Sequence, residues 1–178
     1  MKQVISVLLI IAVAHARSYT LYKQCDATWG KDQLGTSSNT ICSAGCLVSS
    51  VAMMLHTYGV TTDGTTTPRT MNTWLKKNGG YASGDLFVWG SIKNLGFIYE
   101  GKVTAAQAKG KFDAGQHVIL CVNNGGHYVL MTSYSGDTFN VNDPGYSKTS
   151  YPASGVTNAA IYTHSKITYF KNHVLNLE

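Results

Sequence analysis

The apolar positions of this chain change period near its middle. Leu47, Val51, Met54 and Leu55 recur at helical spacing after Cys46, with Ala52 between them. Tyr58-Gly59 closes that run, and a glycine suits the left-handed position just past a helix. Thr67-Pro68 opens a second helix, with Thr67 as N-cap and Pro68 in the first turn. Met71, Trp74 and Leu75 form its apolar face, and Asn78-Gly79-Gly80 stops it. A third short helix is predicted from Asp85 to Leu95, ending at Gly96. A fourth opens at Thr104, where Thr104-Ala105-Ala106-Gln107 fits a capping box. Residues 18–41 carry no period and read as irregular.

Beyond the fourth helix the pattern becomes that of strands. His117 to Val122 is a short run rich in β-branched residues, and Asn123-Asn124-Gly125-Gly126 is a turn. Tyr128 to Tyr134 and Thr138 to Asn142 read as two strands of a hairpin around Ser135-Gly136-Asp137. Ile161 to Thr163 and Ile167 to Phe170 are further candidates. Helices followed by an antiparallel meander make an α+β fold.

The N-terminus stands outside this pattern. Lys2 precedes an apolar run from Val4 to Val13, and Ala14-His15-Ala16 places small residues around a variable one. That is the layout of a secretory signal with cleavage expected after Ala16. The run is too short to span a bilayer, which takes about 20 residues. The expectation is an exported protein, residues 17–178 forming a single domain with no membrane segment.

Composition changes this picture little. Of 178 residues 44% are hydrophobic and 13% charged, a globular balance. The net charge is +5, but the basic residues are scattered and the longest run is Lys76-Lys77. A nucleic-acid binder concentrates them in a patch, so no nucleic-acid partner is expected. Four cysteines, Cys25, Cys42, Cys46 and Cys121, matter more. Export permits disulfides. With one cysteine kept as a nucleophile, the other three form at most one bridge. Cys25 with Cys42 would tie the N-terminal segment to the loop before Cys46. Cys42 and Cys46 also have structural zinc spacing, but no second close Cys/His pair accompanies them, so no metal or cofactor is expected.

Cys46 follows Gly45 and starts a helix, where unpaired N–H groups carry partial positive charge and favour a thiolate. Gly45 would let a substrate carbonyl come close to the sulfur. A buried structural cysteine fits the same position equally well. A nucleophilic cysteine needs a base and a group to orient it. Of six histidines, His15 leaves with the signal. His56 reads as a cap or surface residue of the Cys46 helix, His117 starts a strand, and His164 and His173 lie near the C-terminus. His127 follows a glycine turn and begins a hairpin whose second strand ends at Asn142-Asp143-Pro144-Gly145. Pairing across the hairpin turn would bring His127 beside Asp143. A solvated turn histidine and a turn aspartate before proline satisfy the same spacing. The order Cys, His, Asp is shared with papain-like enzymes. Gln24, in Tyr22-Lys23-Gln24-Cys25-Asp26, precedes the cysteine and could donate to an oxyanion, as any polar loop residue could.

Four stretches carry a resemblance. Gln24-Cys25-Asp26 with Trp29-Gly30 and Leu34-Gly35, Ser43-Ala44-Gly45-Cys46 with the helix after it, Gly126-His127-Tyr128-Val129-Leu130, and Val141-Asn142-Asp143-Pro144-Gly145 are together similar to papain-fold peptidases of the bacteriocin-processing, double-glycine leader peptidase-like group. The chain looks most like their stand-alone secreted relatives. The resemblance implies a papain-like fold and a cysteine peptidase acting on peptide or protein. In it Cys46 is the nucleophile, His127 the base, Asp143 its orienter and Gln24 the oxyanion donor. Where the family often has Gly-Pro after the nucleophile, this chain has Leu47-Val48, a departure on the substrate-facing surface. No transporter segment is read in these residues, so leader-peptide processing coupled to export is not expected. Papain-like folds also include cell-wall amidases and endopeptidases, and a basic exported domain suits an anionic wall. A catalytically inactive binding module on the same fold is the third reading.

Overall fold

In the computed structural model, which describes residues 16–165, four α-helices and six strands follow the expected order of helices and then strands, except that one strand precedes the last helix. The helices are α1 (Ile41–Ala44), α2 (Cys46–Thr57), α3 (Pro68–Lys77) and, between the first two strands, α4 (Ala105–Asp113). The strands are β1 (Phe97–Val103), β2 (His117–Val122), β3 (His127–Ser135), β4 (Thr138–Asn142), β5 (Ser150–Pro152) and β6 (Val156–His164). The class is α+β.

Capping residues set where three helices begin. Thr40, Thr67 and Thr104 each accept from the N3 amide, and the N3 side chain returns to the cap backbone N–H. α2 starts differently. Gly45 ends α1 and caps α2 without a side-chain bond, so the first amides of α2 are left open beside Cys46. Residues Val48 to Leu55 of α2 are all buried. Small residues Ser49, Ser50 and Ala52 share the helix with its large apolar ones, so it packs on nearly every side rather than along one stripe.

The strands make one antiparallel sheet in the order β1-β6-β2-β3-β4-β5. Strands β2 to β4 are the expected meander, β5 extends it at the edge, and β6 returns to lie between β1 and β2. β2 is buried along its whole length, because helices cover both faces. On one face Ile119, Leu130 and Tyr162 pack with α2 and α3. On the other, Val118, Leu120 and Met131 pack with Ala108 and Phe112 of α4. The body of α2 is thereby buried against the sheet, with Cys46 at its partly exposed N-terminal end.

One expectation is corrected and another is met by a longer element. The helix predicted over Asp85 to Leu95 shrinks to a 3-10 turn, Ser91–Leu95, with Gly96 in the left-handed region at φ 87°. The segment before it is irregular, and its large side chains line a cleft instead of a helix face. The strand predicted at Ile161 to Thr163 is the end of the nine-residue β6. β1 and β5 carry no sequence signal: β1 is broken by Gly101 at a bulge, and β5 has three residues, one of them Pro152. Ile167 to Phe170, His173 and the apolar run Val4 to Val13 lie outside the described residues.

Candidate active site

Cys46, His127, Asp143 and Gln24 come from four separate stretches and meet at one end of the sheet. Cys46 is the first residue of α2 and is partly exposed. His127 is the first residue of β3, and Asp143 follows the last residue of β4. Gln24 sits in the irregular N-terminal segment and is buried. Cys46, His127 and Gln24 line a cleft of about 680 Å³. One wall holds the start of α2 with Leu34, Asp85 and Trp89. The other holds Gly126, Tyr128, Gly145 and Tyr146.

His127 Nε2 lies 2.7 Å from Asp143 Oδ1. Simple opposition across the hairpin does not produce this contact. A bulge between Met131 and Ser133 shifts the register, so Asn142 pairs with Leu130 and Asp143 falls level with Val129. The contact with His127 is therefore diagonal, made as the chain turns at Pro144-Gly145. Gly145 is required there: a Cβ would stand 2.8 Å from His127 Cε1. Tyr146 covers the imidazole edge-on, with ring centroids 5.0 Å apart.

The Asp143 side chain has no exposed surface, yet each oxygen is satisfied. Oδ1 accepts from His127 and from the amides of Gly145 at 2.8 Å and Tyr146 at 2.9 Å. Oδ2 accepts from the Tyr151 hydroxyl at 2.7 Å. Burial alone would raise the carboxyl, but the bonds from His127, Tyr146, Tyr151 and Gly145 overcome it and hold Asp143 down at about 2. Burial likewise pushes His127 down. The hydrogen bonds to Asp143 and Cys46, and the charges behind them, outweigh it and lift His127 to about 9. His127 is a cation at neutral pH. With Nε2 committed to Asp143, Nδ1 is the ring nitrogen left for the thiol.

Gln24 is fixed from several directions. Its Nε2 donates to the Cys42 carbonyl at 2.6 Å, which leaves one amide proton uncommitted, and its Oε1 is buried without a protein partner. Its backbone N–H donates to the Pro144 carbonyl at 2.9 Å. Beside it Cys25 and Cys42 form a disulfide. That bridge consumes one of the two thiolates that a zinc reading of Cys42 and Cys46 would need. Cys121, the other free cysteine, is buried in β2.

Two expectations change in detail. Gly45 does not serve chiefly to open space at the sulfur. A side chain there would collide with the Ile41 carbonyl oxygen, so its glycine is demanded by the tight passage from α1 to α2. His56 is a packing residue, its Nδ1 3.0 Å from the Tyr22 hydroxyl and 3.1 Å from the Thr66 carbonyl. The sequence reading missed Lys23, whose Nζ donates to the carbonyls of Asp143 and Tyr146 at 2.6 Å each. It also missed Tyr151. Neither carries a local signal, since both act across more than a turn of chain.

The family model described as "Peptidase_C39 like family" matches residues 17–166. No curated protein matches the chain. Two solved structures are similar to it. One is a double glycine motif protease from an AMS/PCAT transporter, in complex with the leader peptide, at 15% identity and TM-score 0.54, covering 84% of this chain and 94% of that one. The other is a C39-like peptidase from Bacillus anthracis, at 14% identity and TM-score 0.48, covering 82% and 98%. The first likeness shows the fold, which is the papain-like α+β arrangement expected from the sequence.

Proposed function

The chain belongs to the peptidase C39-like family, and on that premise we propose that it hydrolyses peptide bonds with Cys46 as nucleophile, His127 as base and acid, Asp143 as orienter and Gln24 as oxyanion donor. One observation carries the reading: a buried, fully bonded Asp143 holds His127 Nε2 at 2.7 Å beside Cys46 in the cleft. The imidazolium stabilises the Cys46 thiolate, which attacks the peptide carbonyl carbon. Negative charge gathers on the carbonyl oxygen, where the uncommitted Gln24 amide proton and the Cys46 backbone N–H are the available donors. The C–N bond breaks as His127 gives its proton to the departing amine. Water then attacks the thioester, with His127 taking its proton, and the acid leaves.

A peptide or protein is the substrate class this cleft suits, and the leader peptide bound to the double glycine protease is one such ligand of that protein. The test is cleavage of a mixed peptide library followed by mass spectrometry. Loss of every cleavage in Cys46→Ala and in His127→Ala supports the roles. Cleavage that persists in Cys46→Ala overturns them. Turbidity loss on purified peptidoglycan without library cleavage would move the substrate to the cell wall, and a Cys46 that iodoacetamide does not label would make the chain a binding module.

Export belongs to the same proposal. The Val4–Val13 run with Ala14-His15-Ala16 supports a signal, and the Cys25–Cys42 disulfide suits an oxidising compartment. Arg17 would be the first mature residue, anchored by its backbone bond to Thr132 and its guanidinium over the Phe112 ring at 4.1 Å. N-terminal sequencing of protein recovered from the medium should begin at Arg17, and recovery only from cell lysate would overturn export.

A further inference from the structure

Residues Lys23 to Cys25 touch both walls of the cleft. Toward the hairpin, Lys23 Nζ holds the carbonyls of Asp143 and Tyr146, and the Gln24 amide holds that of Pro144. Toward the nucleophile, the Gln24 carboxamide reaches only the Cys42 carbonyl, at 2.6 Å, and its Oε1 has no partner. Cys42 lies in α1, four residues before Cys46. One hydrogen bond to a carbonyl is weak and easily exchanged for water. Directly beside it, however, Cys25 is bonded covalently to that same Cys42. The bridge thus fixes the chain on either side of the one contact that places the carboxamide.

We propose that the Cys25–Cys42 disulfide is a positioning device for the peptidase site: it keeps the Gln24 carboxamide against α1 where the oxyanion forms, so that opening it lowers turnover while leaving Cys46 reactive. The proposal rests on the peptidase reading above. Cys25 is exposed and Cys42 partly so, which lets a dithiol reach the bridge. Reduction takes two electrons and two protons from the dithiol, breaks the S–S bond, yields two thiols and closes the dithiol into its own disulfide. A reductant therefore acts on this protein twice, in opposite senses. It returns an oxidised Cys46 to the thiol, and it releases Gln24. A plain stability staple would behave otherwise: it would change the melting temperature by constraining the unfolded chain and would have no coupling to Gln24.

The test compares two reactions of Cys46, each mapped to that residue by mass spectrometry. Alkylation by iodoacetamide forms no oxyanion, whereas acylation by p-nitrophenyl acetate does, and neither needs a specific peptide. The proteins are wild type, Gln24→Ala, Cys25→Ser/Cys42→Ser, and the triple variant. Losing one oxyanion donor costs on the order of 10²–10³ in turnover. The double variant should lose at least about 10-fold in acylation and in peptide kcat, with alkylation and KM within about 3-fold of wild type. The triple variant should be no slower than Gln24→Ala, because both changes remove one contact. Additive losses, or equal fall of both Cys46 reactions, overturn the proposal. If the double variant does not fold, wild type reduced with a dithiol, desalted and then reoxidised gives the same comparison, with acylation lost and regained. Absence of peptide cleavage in every form would overturn the peptidase reading, while the acylation-to-alkylation ratio would still decide the role of the bridge. A Cys46 inert to both reagents in the oxidised protein overturns both.

Discussion

His127 is held as a cation by contributions that can be removed one at a time. Burial opposes the charge, while Asp143 and Cys46 support it through hydrogen bonds and charge. Asp143→Asn keeps the shape and an acceptor but removes the negative charge, so the folded value of His127 must fall from about 9. The alkaline limb of the pH profile for Cys46 alkylation should move toward lower pH in this variant, and an unmoved limb would mean that Asp143 does not set the His127 charge. At this scale the sequence was legible in part. Cys46, His127 and Asp143 were each marked by a neighbour with a backbone reason: a helix start, a glycine turn, a turn before proline. Gln24 had no such mark, because its placement depends on Cys42 and Pro144, far along the chain. Lys23 and Tyr151 were illegible for the same reason. A side chain that reaches across the fold leaves no periodic trace.

Elements decide how accurately those residues meet. α1 and α2 share Gly45, and the Ile41 carbonyl that the Gly45 amide bonds at 2.8 Å is the atom a methyl group would strike. Gly45→Ala should cost roughly 1–3 kcal/mol by overpacking and displace the start of α2. Denaturant titration measures the first effect, and the iodoacetamide rate at Cys46 the second. A variant with unchanged stability and rate would show that the passage relaxes freely. The same scale explains what the hydrophobic pattern told and withheld. The capped helix starts at Thr67 and Thr104 and the β3–β4 hairpin follow from local residues and were predicted, whereas the short α1 with its Thr40 cap was not. The bulge at Met131–Ser133 was not, and it turns an opposed pair into a diagonal one. The Asp85–Leu95 segment was read as a short helix ending at Gly96, and only Ser91–Leu95 turns, as a 3-10 helix. In the fold Leu86 and Phe87 face the cleft and Trp89 stacks on Tyr99 at 5.5 Å. The apolar side chains of 86–89 serve the cleft and its rim instead of a helix face.

For the whole molecule, the histidines place the pH of greatest stability. His117 is buried at the start of β2 among Tyr58, Phe97 and His164, with its Nδ1 2.8 Å from the Tyr19 hydroxyl. Burial, then the charges of Arg17 and His164, lower it to about 3 from an ordinary 6.5. Between those values the unfolded chain binds a proton that the folded one refuses, so stability falls as pH falls, by at most about 1.4 kcal/mol per pH unit. His127 acts in the opposite window. Its folded value, about 9, lies above the ordinary one. Its contribution is complete below about 6.5 and is lost as pH rises through 9. Asp143, depressed to about 2, adds stability above its ordinary range that disappears as pH drops through 2. The windows of the two histidines meet near 6.5, where the melting temperature should peak. His117→Phe should lower the melting temperature at neutral pH, because the Tyr19 hydroxyl loses its bond to the imidazole, but should flatten the limb between pH 6.5 and 3. Asp143→Asn should flatten the alkaline limb and leave the acid limb to His117. If His117→Phe keeps the full acid slope, its imidazole is not the group that refuses the proton, and the steepness belongs to the carboxylates alone.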